Sequence, residues 1–441
     1  MPASPVPNDL SAYWLPFTAN KAFKAAPRLI TGAEGQFYFT ADGRRIRDAF
    51  SGMWCSILGH GHKGITEAII RQAQCLDYSP AFNFATPGAF ELASQVADQF
   101  PDGLEHVFFT NSGSEAVDTA LKMALVYHRS RGEGTRTRFI GRVNGYHGVG
   151  FGGISVGGMP NNRKFFGLGL PGVDHMPFPY DPALDAFTRG QPDRDPMVYL
   201  KELEAIVALH DPSSIAAVIV EPMIGSAGVF VPPAGYLAKL REITARHGIL
   251  LIFDEVITGF GRLGAANGAT FFGVTPDLCT MAKGINNAAV PMGAVIASRQ
   301  IHDTIINATP TGVEFFHGYT YSAHPLAVAA GLAAQQAIRD ERLYENVAQL
   351  APLFEAAMHG LRGEPFVTDI RNLGLAGGMT LTPHPDGPGL RGYELFTKAY
   401  EKGIAIRANG DTIAIAPILT STPADIEEIF ELVRQSLRAL K

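Results

Sequence analysis

The stretch LLIFDEVITGFGRLG, residues 250–264, decides the fold. Its first four residues are apolar and read as a buried strand, and Asp254 and Glu255 stand where that strand ends. Upstream, LAKLREITARHG (237–248) carries apolar residues at helical spacing and stops at Gly248, a good helix terminator. A helix, a strand and then acids at the strand's carboxyl end make the repeating unit of an open α/β sheet, which binds its ligands outside those strand ends. The candidate strands HVFFT (106–110), AAVIVE (216–221), ILLIFDE (249–255) and GAVIAS (293–298) repeat the rhythm. The expected fold is therefore α/β, a large domain with a mostly parallel sheet covered by helices, plus a smaller α+β domain. In the smaller one, RGYELFTKAYEKG reads as a helix closed by Gly403, IAIRA and TIAIAPIL as strands, and the segment from about 423 as a terminal helix. TPHPDGPGLRG (382–392) reads as a surface loop.

Composition limits what such a fold can do. The 441 residues are 46% hydrophobic and 18% charged, ordinary globular values that allow a large core and two domains. The formal charge of −6 comes with no Lys/Arg-rich run to track a phosphate backbone or a membrane surface, so neither nucleic acid nor membrane is an expected partner. Cys55, Cys75 and Cys279 are odd in number and flanked by apolar residues, and read as reduced core cysteines. MPASPVPNDLSAYW at the N-terminus lacks a signal peptide's basic start and apolar run, and no later stretch is apolar enough to span a bilayer. The expected location is the cytoplasm.

Three segments carry chemistry. In FFTNSGSEAVDTALKMA (108–124) a strand runs through Asn111, Ser112, Gly113 and Ser114 into a helix, which gathers unpaired N–H groups and hydroxyls into a phosphate cradle. Taken alone, it reads equally as a capping box with Ser112 at the N-cap and Glu115 three residues on. In the opening stretch, Gly259, Gly261 and Gly264 match G-x-G-x-x-G, but Asp254 to Thr258 intervene after the strand and no helix opens there, so the dinucleotide reading fails. Asp254 is either a carboxylate in the ligand crevice or a satisfied core acid. In PDLCTMAKGINNAAVPMGAVIAS (276–298), Lys283 sits between an apolar run and Gly284. Desolvation there would make it partly neutral, as covalent bond formation with a carbonyl requires; the alternative is a surface lysine on a turn. Together they fit pyridoxal 5'-phosphate: an anchored phosphate, a lysine to hold the aldehyde as an imine, and a carboxylate to keep the pyridine nitrogen protonated.

DEVITGFGR and PDLCTMAKG also resemble, as a pair, the hallmark of the class III aminotransferases of PLP fold type I, and the likeness extends over essentially the whole chain. The resemblance implies a division into an N-terminal segment (1–65) shared between the small domain and the active-site entrance, a large PLP-binding domain (66–330) and a C-terminal small domain (331–441). It makes Lys283 and Asp254 catalytic, with Ser112, Gly113 and Ser114 at the phosphate. GYHG (145–148) matches the segment whose aromatic residue, here Tyr146, stacks on the cofactor ring, with His147 beside it. Val256, with Ile257 next to it, would press the opposite face. VEPMIGSAGV (220–229) places Glu221 near the ring hydroxyl, and HGYTYSAHP (317–325) implies that Thr320 reaches the neighbouring subunit's phosphate. Many relatives have Gln where this chain has Ile224, a departure expected to alter polarity on the substrate side.

YWLPFTANKAFKAAPRLI and GMWCSILGHGH resemble most the omega-amino acid:pyruvate branch of the family, which includes the beta-alanine:pyruvate aminotransferases. This implies ping-pong transfer from beta-alanine or another primary amine to pyruvate, in a homodimer with shared active sites, and leaves tetramers open. Phe17, Phe23, Trp54 and Phe82 would line an apolar substrate pocket, unless they are plain core aromatics. Arg407 would face the site mouth on a mobile RANGD loop and select carboxylates, the alternative being a solvated arginine at a strand end. His60 and His62 lack a third ligand, so no metal is expected. The runner-up readings are a 4-aminobutyrate/ornithine-type enzyme using 2-oxoglutarate, an aminomutase, and, from another class, a silent PLP-binding regulator.

Overall fold

The computed structural model describes residues 9–167 and 169–440; the start of the proline-bearing N-terminal stretch lies outside them. A seven-stranded sheet forms the centre, in the order Leu104–Thr110, Gly293–Ser298, Leu278–Met281, Leu250–Asp254, Ile215–Val220, Arg138–Arg142, Val173–Met176. Its pairings are parallel except around Gly293–Ser298, which runs antiparallel to both neighbours. Every residue of Ile215–Val220 and Leu250–Asp254 is buried, as expected for strands covered on both faces. The helix Gly113–Ser130 covers one face, with Val117, Ala120, Leu121 and Ala124 buried at helical spacing. The helix Tyr236–Arg246 ends one residue before His247, and Gly248 then turns left-handed at φ +64.

Two smaller sheets flank the centre. Val367–Leu373, Ala376–Leu381, Thr412–Ile415 and Arg407–Asn409 form an antiparallel sheet. Ile30–Glu34, Phe37–Thr40 and Arg45–Asp48 form the other, completed by Ile404–Ala405 from the far end of the chain. The IAIRA segment is thus not one strand: it breaks at Ile406, and its halves pair in different sheets. The helix Leu390–Glu401 before it, closed by Gly403 at φ +88, and the helix Pro423–Leu437 match the sequence expectation.

The cysteine reading needs correction. All three are free, but only Cys279 is buried; Cys75 is exposed and Cys55 half-buried. Cys75 is the last residue of the helix Lys63–Cys75, whose one buried residue is Ile65, so its apolar neighbours in sequence face outward with it. Among the described residues, no helix is long and apolar enough to cross a membrane.

Candidate active site

A cavity of about 470 Å³ opens at the carboxyl ends of the central strands. Asp254, the last residue of its strand, lines it at 6% exposure. Asp254 Oδ2 accepts from His147 Nδ1 at 2.8 Å and Oδ1 from the Val256 amide at 3.2 Å, which fixes the carboxylate plane. The other acid of the pair does different work. Glu255 is fully buried, and its carboxylate accepts from the amides of Gly268 (2.8 Å) and Ala269 (2.7 Å), which start the helix Gly268–Phe272. Burial pushes its pKa up, against those hydrogen bonds.

Lys283 lines the same cavity from the end of the strand Leu278–Met281. Its backbone is left-handed at φ +49, a conformation that marks strained functional positions. Desolvation holds its ammonium below the usual lysine range, with the nearby acids Asp254 and Glu221 opposing. Glu221, following the strand Ile215–Val220, accepts from the amides of Tyr146 (3.0 Å) and Gly225 (3.1 Å), and burial raises its pKa. Behind it Arg142, 0% exposed, donates from Nη2 to the Glu221 carbonyl at 2.9 Å.

Gly113 and Ser114 line the cavity at the start of their helix, where N–H groups have no intrahelical acceptor. Ser112 is the N-cap, its hydroxyl accepting from the Glu115 amide at 3.2 Å. The Glu115 carboxylate reaches the Asn111 amide at 2.7 Å rather than that of Ser112, so the capping box is displaced by one residue. Tyr146, His147, Val256, Ile257, Phe17, Trp54 and Arg407 also face the cavity.

Phe23, Phe82 and Thr320 do not line it within one chain. Phe23 is held elsewhere by Arg28, whose guanidinium lies 5.3 Å from its ring and 5.2 Å from that of Phe396. Phe82 lines a second cavity with His317, Gly318 and Ser322, and exposed Thr320 accepts there from the Tyr78 hydroxyl at 2.9 Å. Ile224 is fully buried and pairs its backbone with Phe230, so it belongs to the core and not to the substrate side. Arg407 is the first residue of a strand, paired with Ala414, so its backbone is fixed and only its side chain can move. It is half-buried, and desolvation lowers its pKa.

Sequence reasoning missed Met53, Asn162 and Asn409, which also line the cavity. Asn409 had a signal, since it lies two residues from Arg407 on one strand and so on the same face. It missed as well a turn in which Ser51, Gly52, Met53 and Trp54 are all left-handed, at φ 46, 53, 74 and 67. For a non-glycine residue this conformation costs about 1–2 kcal/mol. Arg262, 1% exposed, holds this turn to both flanking regions through Ser51 Oγ (3.1 Å) and the carbonyls of Leu375 (3.1 Å) and Pro417 (2.6 Å). Burial among neutral acceptors brings its pKa down to about 9.

His60 and His62 bond Asp48 and Glu341, not a common ion. His106, His302 and Asp303 are close enough for a metal, but the two rings stack 3.5 Å apart at 4°, so their lone pairs lie in parallel planes and do not converge.

Sheet order, buried acid and desolvated lysine define an α/β enzyme whose chemistry passes through a lysine amine. The chain belongs to the class-III aminotransferases: the profile of the family Aminotransferase class-III matches residues 18–437. It is 53% identical over 430 residues to the omega-aminotransferase of Caulobacter vibrioides (98% of each chain), and 49% identical over 442 residues to the beta-alanine–pyruvate aminotransferase of Pseudomonas aeruginosa (99% and 98%). Its structure is similar to an (S)-enantioselective omega-transaminase from Thermomicrobium roseum, with a TM-score of 0.92, 33% identity and coverage of 97% and 96%. A Pseudomonas jessenii omega transaminase in complex with PMP gives a TM-score of 0.90 at 30% identity, covering 96% of each chain.

The family's cofactor is pyridoxal 5'-phosphate, and the residues fit it. His147 Nε2 is buried with no hydrogen-bond partner among the described residues. At Gly113 a Cβ would lie 3.0 Å from Val256 Cγ2, so the helix start stays bare, as a site for the phosphate requires.

Proposed function

We propose that the enzyme moves an amino group from beta-alanine, another omega-amino acid or a primary amine to pyruvate, giving an aldehyde or ketone and alanine. The observation that carries this reading is the Lys283 cavity itself: apolar on the Phe17, Trp54 and Ile257 side, with Arg407 its only arginine among the described residues. One guanidinium suits the single carboxylate of pyruvate; a dicarboxylate such as 2-oxoglutarate calls for two.

When bound, pyridoxal 5'-phosphate supplies an aldehyde and an electron-accepting ring. The chain's own residues do the rest. Gly113 and Ser114 would hold the phosphate with the helix start, and Tyr146 and Val256 would hold the ring between them. Asp254, oriented by His147, keeps a proton opposite its carboxylate. Lys283 Nζ, whose charged form is disfavoured by desolvation, accepts and returns the proton that the transfer must move. Arg407 pairs with the carboxylate of pyruvate and withdraws its side chain for an uncharged donor.

The reading includes a homodimer with shared sites. Phe82, Phe84 and Phe90 are exposed in the lining of the second cavity, an apolar surface of the kind a partner covers, and Thr320 stands two residues from Gly318 of the same lining. It also includes the division into an N-terminal segment (1–65), a large domain (66–330) and a C-terminal domain (331–441), supported by the strand Ile404–Ala405 pairing with Arg45–Asp48, and a cytoplasmic location. A panel of amine donors tested against pyruvate and 2-oxoglutarate decides the acceptor. Turnover with pyruvate is expected, and turnover with 2-oxoglutarate alone overturns the reading.

A further inference from the structure

The left-handed turn at Ser51–Trp54 lies in the cavity wall, since Met53 and Trp54 both line it. Such a turn does not persist unless its surroundings fix it, and one buried group does much of that. Asp48, 2% exposed, accepts from the Phe50 amide through Oδ1 at 2.9 Å and from the Gly52 amide through Oδ2 at 2.6 Å. His60 Nε2 bonds the same Oδ2 at 2.8 Å, and the Tyr38 ring packs 4.5 Å from His60. At Gly52, a Cβ would meet Ser56 Oγ at 3.0 Å and the Tyr38 hydroxyl at 3.1 Å, so the turn has no room to shift on that side. On the other side Ser51 Oγ donates to the Ala416 carbonyl at 2.7 Å. Trp54 is consequently 4% exposed, its ring edge-on to Phe50 at 5.0 Å. Asp48 itself does not line the cavity; it holds the backbone at Phe50 and Gly52, beside Met53 and Trp54, which do.

We propose that Asp48 is a positioning residue for amine selectivity: by holding the Gly52 amide of the left-handed turn and the Phe50 amide just before it, it fixes Met53 and Trp54 as the wall that limits the size of the amine accepted at Lys283. The proposal rests on the amine-transfer reading. With the carboxylate weakened, the turn relaxes toward right-handed backbone, Trp54 leaves the wall and the cavity widens. The effect is therefore on which amine reacts, more than on whether one does.

The sequence holds two tryptophans, Trp14 and Trp54, and Trp14 is 88% exposed, so a Trp14→Phe background leaves Trp54 as the sole reporter. In that background, acrylamide quenching and kcat/KM for a small and a bulky aryl amine with pyruvate are measured for the parent, Asp48→Asn and, as a control, Asp185→Asn. Asp185 is equally buried but bonds Arg194 and Tyr199, none of which lines the cavity. Asp48→Asn is expected to raise the quenching constant several-fold and to shift the bulky-to-small ratio about tenfold toward the bulky amine, while Asp185→Asn moves neither. Unchanged quenching with an unchanged ratio, or the same shifts in the control, overturns the proposal. If Asp48→Asn does not fold, Met53→Gly decides, because glycine adopts φ +74 without strain. A raised Tm supports the strained turn, and a lowered Tm refutes it. Quenching reports on Trp54 whatever the enzyme's donor, so a parent inactive with every amine refutes the amine reading and leaves the turn to be judged on its own.

Discussion

In the proposed reading, Lys283 and Arg407 divide the chemistry of the site between them. Lys283→Ala is expected to fold and to lose transamination entirely, because no other amine of the described residues lines the cavity; turnover at even a few per cent would move the proton transfer to another group. In the cofactor-free protein, a lysine-directed acylating reagent should modify Lys283 at lower pH than ordinary lysines. The reactive form is the deprotonated one, and desolvation lowers its pKa, so the rate reaches its plateau earlier as pH rises. Arg407→Ala should raise KM for pyruvate about tenfold or more, since a charge-assisted hydrogen bond contributes roughly 1.5–3 kcal/mol. Single-turnover reaction with a carboxylate-free amine should change little, and equal losses for both would make Arg407 a support of the fold. The placement of Lys283 in the cavity was legible in the sequence because it stands between an apolar strand and a glycine, whereas that of Arg407 comes from the family resemblance. The turn at Ser51–Trp54 was not legible: it has one glycine, and of its partners Asp48, Arg262 and Ala416 the last two come from distant parts of the chain.

At the scale of elements, the central strands and the long helices followed from periodicity, because burial on both faces leaves continuous apolar runs. Which neighbour a short strand chooses did not. IAIRA alternates like a single strand, yet the end of the N-terminal sheet and the edge beside Thr412–Ile415 each take half of it. Packing between elements is close where the helix Phe151–Val156 meets the strand Arg138–Arg142. At Gly141 a Cβ would lie 1.9 Å from the Val156 carbonyl oxygen, a backbone atom that cannot rotate away. Gly141→Ala should therefore destabilise the protein by at least about 1–3 kcal/mol, the usual range for overpacking, seen as a lowered urea midpoint. An unchanged midpoint would show that this helix is free to slide.

For the whole molecule, the decisive prediction is the shared site. Lys283→Ala subunits mixed with Thr320→Ala subunits, each weak or inactive alone, should recover activity through mixed dimers, and sedimentation should show a dimer at micromolar concentration. Mixtures that never exceed their components would place Thr320 outside the partner's site. The guanidinium of Arg262 carries a different consequence, one of timing. Its carbonyl acceptors Leu375 and Pro417 lie 113 and 155 residues further along the chain. During synthesis from the N-terminus, the central sheet can form while Arg262 still faces water, and Arg262 cannot be buried until Leu375 and Pro417 leave the ribosome. A nascent chain halted before Leu375 should thus be cut by protease near residues 259–264, whereas the finished chain resists there, so the turn that Arg262 anchors in the cavity wall is secured late in synthesis.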